Sequence, residues 1–419
     1  MVYSAGTGAA AIAFVLLGIL GVGYGCGARS DLGVLVSEPL RDGGPETEWI
    51  GHLDGAAIDV SQRTQPDAGA IPIVRAGSFH YCARIPDASV KCWGSNESAQ
   101  LGDGTRTDRE NAVSALGLPS GVVDVRGGET NSCTLDGDGG VACWGQNVVQ
   151  KYPEPFTLMV PTPLPLPLPA KNLAVGWLYG CTVLSDSTPW CWGSCSGAVG
   201  TSCQGVTPPT PIPGVNQAQV VTTSHQHTCA ILIDGSVVCW GKDTQGQLGN
   251  GIAINDNIGP TTVVGLGARA ISVALGFNFT CALLDGGTVK CWGDPFRGAL
   301  GTGPKGYITA LTPTAVVGIT EPAVALGANG DFACVVLRSG GVECWGFGDR
   351  PDPSNGGVYP MEHDTALPVV GISDAVAIAL ASDSACVTRM NGHVSCWGRV
   401  IGASGWESRW TPRDVLGIP

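Results

Sequence analysis

The sequence predicts an all-β fold: a seven-bladed β-propeller, about four antiparallel strands per blade, with the ring closed by strands from both termini. Three observations carry this reading. A cysteine followed ten residues later by Cys-Trp-Gly occurs seven times. Successive copies start 48 to 53 residues apart, a period that marks a solenoid, propeller or array. No segment after residue 70 keeps an apolar period of 3.6 over a helix-length window, whereas short β-branched runs bounded by Gly, Asn, Asp and Pro recur throughout.

The copies read Cys82 with Cys92-Trp93-Gly94, Cys133 with Cys143-Trp144-Gly145, and Cys181 with Cys191-Trp192-Gly193. They continue with Cys229 and Cys239-Trp240-Gly241, Cys281 and Cys291-Trp292-Gly293, Cys334 and Cys344-Trp345-Gly346, and Cys386 and Cys396-Trp397-Gly398. A strand-like run precedes each first cysteine, as in "VVTTSHQHTC" (220–229). A Gly-rich polar stretch follows each triplet, and then a second apolar run such as "PTTVVGLG" (260–267). That makes about four strands per unit, the pattern of a propeller blade.

The ten-residue spacing has a geometric explanation. A three-residue hairpin loop of Ile233, Asp234 and Gly235 places Cys229 directly opposite Cys239. Such loops end in a left-handed residue, where glycine costs least. That position holds Gly139, Gly235, Gly287, Gly340 and Gly392, with Ala88 and Ser187 as exceptions. Cβ atoms across an antiparallel pair lie about 4.5–5.5 Å apart, near the roughly 3.5–4.5 Å of a disulfide. Seven hairpin disulfides are therefore predicted. Paired zinc ligands are the rival, but this spacing, without a neighbouring C-x-x-C or histidine cluster, fits zinc poorly. By strand alternation the triplet tryptophans face the side opposite the cysteines. Both faces of a blade pack on neighbours, so these tryptophans read as inter-blade core.

Seventeen cysteines divide into the fourteen of the hairpins, a further expected pair Cys195–Cys203 in "SCSGAVGTSC", and Cys26 alone. This usage implies an oxidising compartment. A net charge of −13 and a pI near 4.8 argue against nucleic acid, whose binding rests on Lys and Arg neutralising phosphate. They argue more weakly against an anionic membrane surface.

The amino terminus supplies an address. "AAAIAFVLLGILGV" (9–22) is an apolar run of signal-peptide length, too short and Gly-rich for a membrane span. It ends in "GYGC", which resembles a bacterial lipoprotein lipobox and implies lipidation at Cys26. Gly23 stands where that pattern prefers leucine, and no Lys or Arg precedes the apolar run. Ordinary secretion and an uncleaved anchor are the alternatives. Residues 1–26 thus read as signal peptide, 27–70 as a flexible polar tether and 71–419 as the propeller. The membrane is reached only through the amino-terminal lipid, and the expected location is the cell envelope.

"HTCAILIDGSVVCWGKDTQGQLGNG" (227–251), "GSFHYCARIPDASVKCWGSNESAQLGDGT" (77–105) and "CWGDPFRGALGTG" (291–303) resemble the repeat of the regulator of chromosome condensation family. The resemblance spans about residues 70–419 and implies a seven-bladed propeller, matching the copy number. Units two, six and seven lose most of the G-Q-L-G stretch ("QNVVQKYPEP", "FGDRPDPSNG", "RVIGASGWES"). The family histidine remains as His80 and His227, with Asn131, Tyr179, Phe279, Phe332 and Ser384 elsewhere. Both hairpin cysteines are additions to the eukaryotic pattern. The chain ends "TPRDVLGIP" (411–419), the piece that elsewhere precedes a strand like "IPIVRAGS" (71–78). The termini are therefore expected to share one blade.

No catalytic constellation stands out, and no cofactor is implied. His225 and His227 could offer two ligands to a metal, but His227 occupies the family's structural position. "DGDGG" (136–140) lies in a hairpin turn and lacks the bidentate glutamate of a calcium loop. Ser and Asp cluster in turns, where they satisfy backbone groups. The chain thus reads as a non-catalytic scaffold binding an envelope or extracellular protein through face loops. The irregular loops are 146–176, 194–214 and 347–366. "PTPLPLPLP" (161–169) reads as a rigid polyproline strap, with a recognition segment as the alternative. A glycan-binding adhesin is the second reading, with Trp177, Tyr179, Trp406 and Trp410 as contact candidates and core packing as the competing role for each. The resemblance also implies nucleotide-exchange stimulation on a small GTPase, which an exported chain could not reach. Inhibition of a secreted enzyme is a further alternative that it carries.

Overall fold

The computed structural model describes residues 71–146, 157–194, 206–304, 308–348, 361–402 and 405–418. Cys26, the proposed signal and tether, and the Cys195–Cys203 pair lie outside the described residues. Seven sheets of four antiparallel strands make up the ring. In blade one these are β1 (Ile73–Ala76), β2 (His80–Arg84), β3 (Val90–Gly94) and β4 (Arg109–Ser114), hydrogen-bonded in that order. The same inner-to-outer order repeats over 122–164, 170–211, 218–262, 270–315, 323–368 and 375–414. The inner strands surround a central channel. The described helical structure is one 3-10 turn, Phe296–Gly298, and no described helix is long and apolar enough to cross a membrane.

The Cys-Trp-Gly triplet does three separate jobs. Each first cysteine pairs directly with its partner in the second-to-third-strand hairpin. All seven pairs are disulfide-bonded, with Cα atoms 4.0 to 4.1 Å apart. The hairpin position predicted to be left-handed is so in every blade, including Ala88 at φ 65° and Ser187 at φ 68°. At the tryptophan, pairing of the third strand with the outer strand slips register in all seven blades. Such bulges increase local twist. Glycine follows because the backbone must pass the start of the second strand. Gly94 has φ 108°, and a Cβ there would lie 2.7 Å from the Phe79 carbonyl oxygen.

The tryptophan itself reaches backwards round the ring. Trp144 packs with the Cys82–Cys92 disulfide of the preceding blade, Trp192 with Cys133–Cys143 and Trp240 with Cys181–Cys191. Trp292, Trp345 and Trp397 continue the series. Trp93 completes it against Cys386–Cys396 of blade seven. The core is therefore seven inter-blade seams, each with one disulfide and one indole. The G-Q-L-G stretch serves the same seam. Trp144 Nε1 donates to the Gln100 carbonyl at 2.9 Å, Trp292 Nε1 to Gln247 at 2.9 Å and Trp345 Nε1 to Ala299 at 3.0 Å. Unit two lacks the stretch, and buried Trp192 Nε1 of the next blade finds no hydrogen-bond partner among the described residues.

One expectation is corrected. The ends of the propeller do close the ring, but they do not share a blade: every sheet takes its four strands from one consecutive stretch. The tail "TPRDVLGIP" ends blade seven's outer strand and continues into what elsewhere is the link between blades. A chain that starts on an inner strand and stops on a link needs no mixed sheet. Closure comes from packing of blade one on blade seven and from polar contacts between the tail and blade one. Leu416 O accepts from Ala112 N at 3.1 Å, Gly417 O accepts from Lys91 Nζ at 2.6 Å, and Arg409 Nη2 lies 2.8 Å from Glu110 Oε1.

Candidate functional site

Antiparallel order sends the seven loops between inner and second strands to one mouth of the channel. The residue four before each first cysteine forms the rim: Ser78, Glu129, Trp177, His225, Phe277, Gly330 and Ser382. Backbone hydrogen bonds tie neighbouring loops together. Ser78 N donates to Gly128 O at 2.8 Å, Phe277 N to Gly330 O at 2.9 Å, and Ser382 N to Ser78 O at 2.9 Å. A glycine ends several inner strands because the approach is so close. A Cβ on Gly77 would sit 2.2 Å from the Gly128 carbonyl oxygen.

Four consecutive blades bring Glu129, Trp177, His225 and Phe277 together. The Trp177 and His225 rings lie 5.5 Å apart between centroids, tilted by 37°. His225 meets Phe277 edge-on at 4.3 Å, and His225 Nε2 is 3.7 Å from Glu129 Oε2. Burial between the two aromatic rings lowers the imidazole pKa to about 4. Burial also raises the Glu129 carboxyl. The 3.7 Å contact would be an ion pair only with a protonated ring, and desolvation keeps the ring neutral near pH 7. The arrangement is thus a carboxylate beside a neutral imidazole and two half-buried aromatics, with Glu129 Oε2 buried and making no hydrogen bond among the described residues.

Below this rim lies a channel of about 410 Å³, within the size range of ligand cavities. Its lining is mostly small, with Ala174, Thr222, Ala274, Gly327 and Ala379 at the position that carries Arg75 and Arg126 in blades one and two. Both guanidiniums address Asp124, at 3.3 Å from Arg75 and 2.8 Å from Arg126. Burial, then the proximity of Arg126, lowers Arg75 to about 10. Burial opposes ionisation of Asp124, but Arg126 and Arg75 outweigh it and hold its carboxyl below the usual range.

The four sequence-selected aromatics are dispersed. Trp177 is half-buried on the rim. Tyr179 is fully buried; its hydroxyl donates to the His227 carbonyl at 2.9 Å and lies 3.1 Å from Thr228 Oγ1, linking blades three and four. Trp406 is 44% exposed, edge-on to Phe79 at 5.9 Å, with the Arg399 guanidinium 5.3 Å over its ring. Trp410 is half-buried on the outer strand of blade seven. Glu129 and Phe277 were not selected from sequence, and His225 was weighed there only as a metal ligand, although counting four residues back from each first cysteine identifies all three directly.

The remaining histidines and turns have structural roles. His227 Nε2 lies 2.8 Å from Thr280 Oγ1, and His80 Nε2 lies 2.7 Å from Ser132 Oγ, each reaching the next blade. His225 and His227 therefore part company. Among the described residues no group of three His, Cys, Asp or Glu is placed to hold a metal. In "DGDGG", Asp136 Oδ1 accepts from the backbone of Asp138 at 3.0 Å and Gly140 at 2.8 Å, closing the hairpin turn.

Comparison with known proteins agrees with this architecture. Two sequence models of the regulator of chromosome condensation (RCC1) repeat match the chain, one over residues 219–247 and 270–299 and the other over 234–283. No curated protein sequence matches the chain. Among solved structures, human WBSCR16 superposes with a TM-score of 0.69 at 17% identity, covering 78% of this chain and 94% of that one. Prp20p from Saccharomyces cerevisiae gives a TM-score of 0.65 at 17% identity, covering 79% and 83%. A chain in the structure of Kap60 bound to yeast RCC1 (Prp20) gives 0.66 at 17% identity, covering 80% and 81%. At such identities the likeness concerns the fold.

Proposed function

We infer that this regulator of chromosome condensation repeat protein is an exported, non-catalytic scaffold, anchored in the cell envelope by a lipid on Cys26, that holds a protein partner on the face around the channel mouth. The observation that carries the reading is the rim of Glu129, Trp177, His225 and Phe277. Two aromatics and an imidazole cluster there at the surface beside a carboxylate, and clustered aromatics are enriched where proteins bind one another. A disulfide in every blade supports an oxidising compartment. The yeast structures are described by their complex with Kap60 and by binding to Gsp1p and histones, which supports protein recognition as a use of this fold.

The test is affinity capture of the full chain from crosslinked cells, alongside Trp177→Ala and Phe277→Ala variants. One dominant protein captured by the wild type and lost with either variant would support the reading. Capture unchanged by both would remove the rim from it. Mass spectrometry of the mature amino terminus addresses the anchor: a lipid-modified Cys26 as first residue is expected, and an unmodified Cys26 within an uncleaved chain would exclude it. The exposed Trp406 beside Phe79 keeps a glycan reading in view, and loss of retention on adding free oligosaccharide would favour it.

A further inference from the structure

Resting on that reading, we propose that the rim recognises a cationic side chain, lysine or arginine, presented by the partner protein at the mouth of the channel. The argument starts from charge. At the two positions preceding the second strand by one and two residues, the seven loops carry three carboxylates, Glu129, Asp331 and Asp383, and no Lys or Arg. The Arg297 guanidinium approaches Asp331 from the outer loop of blade five, at 3.7 Å. Burial, then Asp294 and Asp383, raises the Asp331 carboxyl against the opposing pull of Arg297. These loops therefore carry an acidic excess at the two positions, with Asp331 balanced by Arg297 and Glu129 left, among the described residues, with only the neutral His225 ring beside it.

The second part of the argument is local to Glu129. Its Oε2 is buried without a hydrogen bond, beside an imidazole that burial keeps neutral. A carboxylate taken out of water is stabilised by an ammonium or guanidinium at hydrogen-bonding distance. Trp177 and Phe277 both pack on His225, whose ring touches this carboxylate, and aromatic faces near a carboxylate attract cations while desolvating them. Carboxylate plus aromatic walls suits an alkylammonium or guanidinium better than a sugar, which needs several hydrogen-bonding groups. Deeper in the bore, Arg75 and Arg126 repel a cation and hold it at the rim.

The full chain, labelled with 5-fluorotryptophan, is titrated with acetyl-Gly-Arg-Gly-amide and its lysine counterpart at low salt, the Trp177 resonance being assigned from Trp177→Phe. A saturable shift of that resonance is expected with both peptides, but not with the glutamate or citrulline peptides. Glu129→Gln, with an unchanged melting temperature, should weaken binding by about five- to tenfold. An equal response to citrulline, indifference to Glu129→Gln, or no saturable shift at millimolar peptide would each overturn the proposal. Where Trp177→Ala abolishes partner capture but the cationic peptides give no shift, protein binding stands and cation recognition fails. Loss of capture in neither rim variant defeats the broader reading instead.

Discussion

The Tyr81 hydroxyl and Ser384 Oγ share a 2.8 Å hydrogen bond across 303 positions of sequence, at the seam where blade one meets blade seven. Every other seam joins blades that are consecutive in the chain; this one is held by side-chain packing, hydrogen bonds and an ion pair between the two ends of the ring. Trp93 against the Cys386–Cys396 disulfide, Thr388 Oγ1 donating to Pro72 O at 3.2 Å and the tail residues 415–418 complete it.

Deleting residues 415–419 should therefore loosen the whole ring. The deletion removes Val415 and Ile418 from the seam cluster and the hydrogen bonds of Leu416 and Gly417 to blade one. Two half-buried aliphatics and two hydrogen bonds amount to about 2–4 kcal/mol. Urea denaturation should show one cooperative transition at a lower midpoint; an unchanged midpoint would contradict the assigned closure.

Each hairpin disulfide closes a loop of about eleven residues and stabilises by roughly 2.5–3 kcal/mol in the chain-entropy account. Replacing Cys229 and Cys239 with alanine should cost about that much plus a small packing loss around Trp292. Reducing all seven should unfold the protein, since their combined contribution exceeds the 5–15 kcal/mol of a typical domain. Retention of the native circular dichroism in strong reductant under mild denaturant would count against this.

The G-Q-L-G stretch gives a paired comparison. Trp144→Phe removes an indole volume and the bond to the Gln100 carbonyl. Trp192→Phe removes a similar volume with no such bond. The first should cost about 1 kcal/mol more than the second. Equal losses would mean that the stretch contributes nothing through the indole.

Much of this was legible from the spacing of cysteines. The period set the blade count, the ten-residue interval set the hairpin, and the glycine at the loop's last position set its hand. The assignment of strands to a closing blade was not legible. A repeat period shows where a unit recurs but not where one sheet ends: residues 411–414 finish blade seven's outer strand and only 415–418 form a link, although the whole piece looks like the start of another unit in sequence. Tyr179 shows a related limit. An aromatic at a variable family position reads equally as contact or core, and only its hydrogen bond to His227 O decides. Glu129 and Phe277 escaped notice because each is unremarkable within its own unit; their meaning lies in adjacency round the ring.

His80 and His227 predict an acid sensitivity. Burial lowers both to about 3 against roughly 6.5 unfolded. Between those values the unfolded chain binds more protons, so stability falls as pH drops from about 6.5 toward 3, by up to about 1.4 kcal/mol per pH unit for each ring. The His80→Asn, His227→Asn double variant, copying the asparagine of blade two at position 131, should lose less stability over this range than the wild type. Parallel pH profiles would contradict the assignment of buried neutral rings.

The claim that one face receives the partner is tested most directly by site-specific photocrosslinking in cells. A photoreactive amino acid replaces Phe277 on the rim or, in a separate strain, Asp234 at the tip of a hairpin on the opposite face. The account predicts a discrete protein adduct from position 277 and none from 234. An adduct from 234 alone, or the same adduct from both, would contradict it.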